Sequence, residues 1–278
     1  MESVETLNRL FLTQPPREAY FRILKSAGEG SARANLLLGL YFIDGYNTFF
    51  MDEGLGQKYL EAAYRGGDLP GSVILAKRTP YRDFVTISAA QLQSIQDMAN
   101  EGDFLAQFAL GWMYFAGKWV PNSEELAIEW FRKSAEQGFA NAQRWVGSRL
   151  TNYRHTDPDW RNKRVEWYKR AAYKGQIEAQ LFLAQEYRLP PYKCHCPELA
   201  HYWYKKAAEQ GCGFAYARLA DELKNSADPE GIQKRMALYQ KGALLGSSAC
   251  RARMEMTISF SWKEVELYHQ VLTFLQSR

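Results

Sequence analysis

Apolar positions along the chain fall at helical spacing in paired runs, and small residues punctuate those runs at fixed places. The clearest pair spans Gly102 to Gly138, GDFLAQFALGWMYFAGKWVPNSEELAIEWFRKSAEQG. A glycine opens it, Ala106 lies four residues on, Gly111 nine on and Tyr114 three further. A polar turn and a second apolar run follow, with Trp130-Phe131 ahead of Ser134-Ala135 and the closing Gly138. The frame repeats. Glycine recurs at 30, 66/67, 102, 138, 175, 211 and 246, a step of 35 to 37 residues. The plus-four position reads Ala34, Gly71, Ala106, Ala142, Ala179, Ala215, and plus nine reads Gly39, Ala76, Gly111, Gly147, Ala184, Ala220. A fixed period in this range marks a solenoid of stacked units that share one core.

Each unit reads as helix A, turn, helix B. Asn122 is positioned to cap a helix B with Glu125 at its third residue. Asp157-Pro158, Asp228-Pro229 and Cys196-Pro197 put proline at a first helical position. Ser88 with Gln91 forms a capping box in the most degenerate unit, which lacks the aromatic pair and carries Pro80 in its turn. The closing glycines suit left-handed C-caps. Small residues at plus four and plus nine allow close helix approach, and Trp130-Phe131, Trp167-Tyr168 and Trp203-Tyr204 fill the space between units.

The expected fold is all-α, about six helical hairpins with terminal caps. Residues 1–29 form an N-terminal capping helix, amphipathic through Tyr20, Phe21, Leu24 and Ala27. The repeats run 30–66, 67–101, 102–137, 138–174, 175–210 and 211–246. Residues 247–278 supply C-terminal capping helices, the last over Trp262 to Gln276 behind a Ser261–Glu264 capping box.

At ~100° per residue, the small and apolar positions of helix A (plus four, eight, nine, twelve) share one arc. The opposite side should be polar if it only meets water. In the central units it carries Leu105, Phe108 and Trp112; Asn141, Arg144, Trp145 and Ser148; Glu178, Leu181, Phe182 and Gln185; and Phe214, Arg218 and Asp221. Successive helices of a solenoid line one extended surface, and Trp beside Arg is the pairing that dominates binding hot spots. The partner-binding candidates are Phe108, Trp112, Arg144, Trp145, Phe182, Gln185, Arg218 and Asp221.

Composition narrows the classes. A chain of 278 residues with 46% hydrophobic and 14% aromatic content can bury a substantial core, which excludes a disordered chain. A net charge of +4, spread along the sequence, is too mild to argue for a nucleic-acid groove. No apolar run approaches the roughly 18 to 20 residues of a membrane span. The N-terminus carries acids where a signal peptide carries its basic region, so the expected compartment is the cytoplasm, or the periplasm if a leader has been removed. Four cysteines make no disulfide framework.

Catalytic patterns are missing. None of His155, His195, His201 and His269 sits in a metalloprotease helix, and there is no phosphate-binding glycine loop or nucleophile elbow. Cys194-His195-Cys196 with His201 offers thiolate and imidazole, which suit zinc. A cysteine pair split by one residue is not a usual zinc spacing, and no second pair completes it. The preferred reading is a loop with ordinary thiols, ahead of a disulfide to Cys212 or a metal site. No cofactor and no metal are expected.

GFANAQRWVG, LGWMYFAG, AIEWFRKSAEQG, VEWYKRAAYKG and AHYWYKKAAEQG resemble the Sel-1-like repeat, a cousin of the tetratricopeptide repeat. The likeness covers about residues 30 to 250 and is weak over 67–102. It departs at Leu150 and Leu223, which replace the pattern's tyrosine, and in the long turn LPPYKCHCP. The resemblance implies a right-handed superhelix whose concave face binds a protein partner. It implies a non-enzymatic bacterial scaffold, most concretely an adaptor or an immunity protein for a secreted effector or toxin. It leaves open a regulator of signalling or envelope assembly. Some cysteine-rich relatives are described as recognising or hydrolysing penicillin-like compounds, but their cysteine pair per repeat is absent here.

Overall fold

A computed structural model describes residues 2–13, 16–44, 51–77, 85–153, 155–188, 196–225 and 228–260, in two compact units, 1–196 and 197–278. Among these residues every regular element is helical. In the first unit α1 (Val4–Thr13) and α2 (Pro16–Gly28) precede the hairpins α3 (Ala32–Asp44) with α4 (Glu53–Arg65) and α5 (Leu69–Ala76) with α6 (Ala89–Asn100). Next come α7 (Phe104–Ala116) with α8 (Glu124–Glu136) and α9 (Ala140–Arg149) with α10 (Trp160–Tyr173), then α11 (Ile177–Arg188). The second unit holds α12 (Pro197–Glu209), α13 (Gly213–Glu222), α14 (Pro229–Leu244) and α15 (Ser248–Phe260). The fold is an all-α solenoid of helical hairpins. The expected last helix over 262–276 lies outside the described residues.

The repeating frame has a backbone cause. Gly30, Gly67, Gly102, Gly138, Gly175, Gly211 and Gly246 all take positive φ, between 82° and 99°, a region that residues with a Cβ seldom enter. The plus-nine glycines answer to packing instead: a Cβ on Gly111 would lie 2.6 Å from Phe131 Cδ1. A third periodic device is hydrogen bonding. At plus five, Gln107, Gln143 and Gln180 are buried and donate to the carbonyls of Ala99, Ala135 and Ala172 at 3.0, 3.1 and 3.3 Å. Each bond ties the start of a helix A to the end of the preceding helix B, as a second donor to a carbonyl that already accepts from the closing glycine N–H.

Capping follows the sequence in part. Ser88 and Gln91 form the capping box, and Asp228 accepts from Gly231 N with Pro229 in the first turn. Asn122 does not cap α8. Ser123 does, accepting from Leu126 N, while the Asn122 amide donates to the carbonyls of Tyr114 and Phe115 at the end of α7. The helix after Asp157-Pro158 starts late, at Trp160, and Asp157 instead accepts from Asp159 N and Lys163.

Residues 1–29 form two helices where one was expected, and the first lies against the repeats. Leu7, Leu10 and Phe11 of α1 are buried. The Phe11 ring sits 4.9 Å from Tyr41, 6.2 Å from Phe104 and 6.3 Å from Phe139. Polar contacts hold the same helix: Asn8 bridges Arg33 and Asp103, and Lys174 Nζ donates to Leu12 O at 2.9 Å. Burial lowers the pKa of Lys174. Arg33 pairs with Asp68 at 2.7 Å and with Asp103 at 2.6 Å.

Candidate functional site

The wall expected from the helix-A pattern divides along its length. Its N-terminal turns are closed. Leu105, Phe108 and Asn141 are buried. Phe108 was expected to meet a partner; it is 1% exposed, edge-on to Phe139 at 5.0 Å and 5.3 Å from Phe131. A helical period assigns Phe108 an angle but cannot say what covers it, and here the ring joins a cluster with Phe139, Phe104 and Phe11. Asn141 is likewise held, donating to Asp44 Oδ2 at 2.6 Å and accepting from Gln176 at 3.2 Å.

The C-terminal turns are partly open to solvent. Trp112 on α7 is half-buried and meets Trp145 on α9 edge-on, with centroids 4.7 Å apart at 84°. Trp145 is 9% exposed and stacks on Phe131 at 5.4 Å. Arg144 lies 5.4 Å from the Trp145 ring and 2.9 Å from Glu178. Phe182 on α11 stacks on Tyr168 at 5.4 Å, with Gln185 exposed one turn on. Burial raises the Tyr168 pKa against the opposing pull of Arg164. Behind them Glu186, nearly buried, accepts from Arg161 at 3.0 Å and Arg164 at 2.9 Å. Trp112, Arg144 and Trp145 therefore come together. Arg218 and Asp221 belong to the second unit and bind within it: Arg218 lies 3.7 Å from Asp221, whose Oδ1 takes Arg253 at 2.9 Å and the Tyr239 hydroxyl at 3.1 Å.

Three residues join the wall that the pattern did not single out. Phe115 lies 5.1 Å from Trp145, and Arg149 lays its guanidinium 5.2 Å from the Phe115 ring and 5.0 Å from the Trp145 ring. Spacing held the signal, because Phe115 is three residues after Trp112 and Arg149 four after Trp145, both neighbours on a helix surface. The third is Trp119, with φ of 66°. Left-handed backbone costs a residue with a side chain roughly 1–2 kcal/mol, and such strain clusters at working sites. Trp119 and Trp112 wall a cleft of about 280 Å³ between α5, α7 and the turn after α7. Lys77 lies 4.6 Å from the Trp112 ring, and Lys118 lies 4.6 Å from the Trp119 ring.

Neither a metal nor a thiol centre forms among the described residues: no group of three His, Cys, Asp or Glu gathers there. Cys194 and His195 fall outside them. His201 faces Glu222 at 2.6 Å, and Cys250 is a buried thiol, its pKa raised by burial, donating to Gly213 O. No helix among the described residues is long and apolar enough to cross a membrane.

Comparison with known proteins places these features. The Sel1 repeat family matches residues 105–139, 165–176 and 177–212. A crystal structure of a protective antigen from uropathogenic Escherichia coli, described as displaying an SLR fold, is 25% identical over 85% of this chain with a TM-score of 0.54. The match covers 51% of that protein, so this chain spans about half its length. A Sel1 repeat protein from Oxalobacter formigenes is 35% identical over 47% of this chain and 97% of its own, at a TM-score of 0.43. An immunity protein of Pseudomonas aeruginosa is 18% identical over 78% of this chain and 82% of its own, at 0.49.

Proposed function

The chain carries Sel1 repeats over residues 105–139, 165–176 and 177–212, and from that premise we propose that it is a non-enzymatic scaffold that grips a protein partner along the open half of its helix-A wall. The observation that carries the reading is the Trp112–Phe115–Trp145–Arg149 cluster. Four large side chains from two consecutive hairpins meet there at 4.7 to 5.4 Å, partly open to solvent and beside an apolar cleft. Aromatic and arginine anchors of this kind supply most of the affinity at protein interfaces, each costing about 2 kcal/mol or more on truncation. The wall continues to Phe182 and Gln185, the remaining expected contacts of the first unit.

Photo-crosslinking tests the surface. A benzophenone amino acid in place of Gln185 should capture a discrete partner from cells expressing the chain. The same group in place of Arg132, exposed on α8, should not. Equal capture at both places, or capture at Arg132 alone, would remove the wall as the binding face.

The finer reading is that the partner is a secreted effector or toxin and that this chain is its immunity or adaptor protein. Its support is the habit of the repeat family, not any one residue. Co-expression with the product of an adjacent gene tests it: rescue from that product's toxicity is the expected result, and unaltered toxicity across all neighbours rejects it.

A further inference from the structure

We infer that the cleft beside Trp119 and the guanidinium of Arg149 together take an acidic, apolar segment of the partner, one large apolar side chain entering the cleft while a nearby carboxylate pairs with Arg149. This rests on the scaffold reading above and adds the chemistry of the occupant.

Charge complementarity is the first support. Arg144 on the wall already has a carboxylate in Glu178, and Arg161 and Arg164 on α10 share Glu186. Arg149 is the exception, since among the described residues no carboxylate pairs with it. Its Nε is buried without a hydrogen-bond partner, and its plane is held by two rings instead. A guanidinium fixed between aromatic faces keeps its outer N–H groups in the fork geometry that matches a carboxylate.

Size and spacing are the second support. At about 280 Å³ the cleft falls just under the ~300 Å³ at which small-molecule sites begin, and its lining of Val73, Ala76, Trp112, Met113, Phe115 and Trp119 is apolar, with Lys77 and Lys118 completing it. One leucine or phenylalanine fits that description better than a cofactor does. Phe115 lies in both features, lining the cleft and stacking under Arg149, so one ring separates the two subsites. That separation matches side chains two apart on an extended segment, or three to four apart on a helix.

Selection of displayed random peptides on the full chain tests the inference. Enriched peptides should carry Asp or Glu within four residues of Leu, Ile, Phe or Trp. Replacing their acids by Asn and Gln should weaken binding to the unaltered protein about tenfold or more, the effect of losing a charged hydrogen-bonded partner. Arg149→Met, which keeps an apolar stem on the rings, should weaken the acidic peptide to the same extent and leave the neutral one unaffected. Arg149→Lys should recover part of the loss. Failure to enrich any peptide, enrichment without acids, or equal affinity of Arg149→Met for acidic and neutral peptides would overturn it. If crosslinking through Gln185 persists in any of those cases, the scaffold reading stands and only the acidic occupant falls.

Discussion

Asn8 of the first helix donates to Asp103 at 3.0 Å across 95 residues of sequence, and that carboxylate oxygen also lies 2.6 Å from Arg33. Arg33 is 3% exposed. Burial works against its charge, but Asp68 and Asp103 outweigh it and hold the guanidinium ionised. The network fixes α1 over the N-terminal turns of the repeats. Arg33→Met leaves two carboxylates facing each other without their cation. Breaking a buried pair from one side costs about 3–5 kcal/mol, so urea unfolding should shift by an amount of that order. Adding Asp103→Asn should recover part of the loss, because asparagine caps α7 nearly as well and removes one stranded charge. An unshifted unfolding midpoint in the single variant would show that the network does not hold the helix.

Gly111 tests the close approach of α7 and α8. Alanine is the better helix former by about 1 kcal/mol, so an open site would gain from the change. Here the added methyl meets the Phe131 ring at 2.6 to 3.0 Å. Overpacking costs typically about 1–3 kcal/mol, and Phe131 is itself wedged between Phe108 and Trp145, so it cannot retreat cheaply. The expected result for Gly111→Ala is a lowered melting temperature, relieved when Phe131→Leu is added. A raised melting temperature in the single variant would mean that the two helices stand further apart.

Tyr239 sets an alkaline limit on the second unit. Burial first, then the neighbouring Asp221 charge, push its pKa from 10.0 up to about 12. The folded form therefore keeps the phenol proton after the unfolded chain has lost it. That contribution is complete below pH 10 and is lost as pH rises toward 12. Across this window Tyr239→Phe should lose stability less steeply than the parent chain. Asp221→Asn should bring tyrosinate absorbance at this position to lower pH, read as a difference against Tyr239→Phe. Identical alkaline slopes in parent and Tyr239→Phe would place the hydroxyl in water.

These residues also mark what the sequence could reveal. The closing glycines were legible because a left-handed turn is a property of one residue, and seven of them recur in phase. The capping box at Ser88 was legible for the same reason. The choice between Asn122 and Ser123 was not, since either can cap and the outcome depends on where Gly117 ends α7, at φ of 63°. Phe108 was placed on a free wall because helical angle is local, whereas its cover is remote: Phe139 from the next unit and, through Phe104, Phe11 of α1. The same rule puts Trp112 and Trp145 on that wall; Trp112 is half-buried, and Trp145 is 9% exposed beneath Phe131, Phe115 and Arg149. Arg149 needed one further step, the count of four residues on from Trp145.

Trp119 separates binding from stability. Its ring packs on the core at the side of the cleft, and its backbone sits at φ of 66°. Alanine there would remove the ring and leave the strain, confusing the two effects. Asparagine tolerates left-handed backbone better than other residues with side chains, so Trp119→Asn should keep the turn between Gly117 and Asn122. Relief of roughly 1 kcal/mol of strain offsets part of the packing lost by a half-buried ring, and the change in melting temperature should be small. Binding should not be spared: without one wall of the cleft, affinity for the partner should fall about tenfold or more, the scale of a truncated aromatic anchor. Titration calorimetry beside thermal melts reads both quantities on one preparation. A large drop in melting temperature with unchanged affinity would make Trp119 a structural residue and move the binding surface elsewhere on the wall.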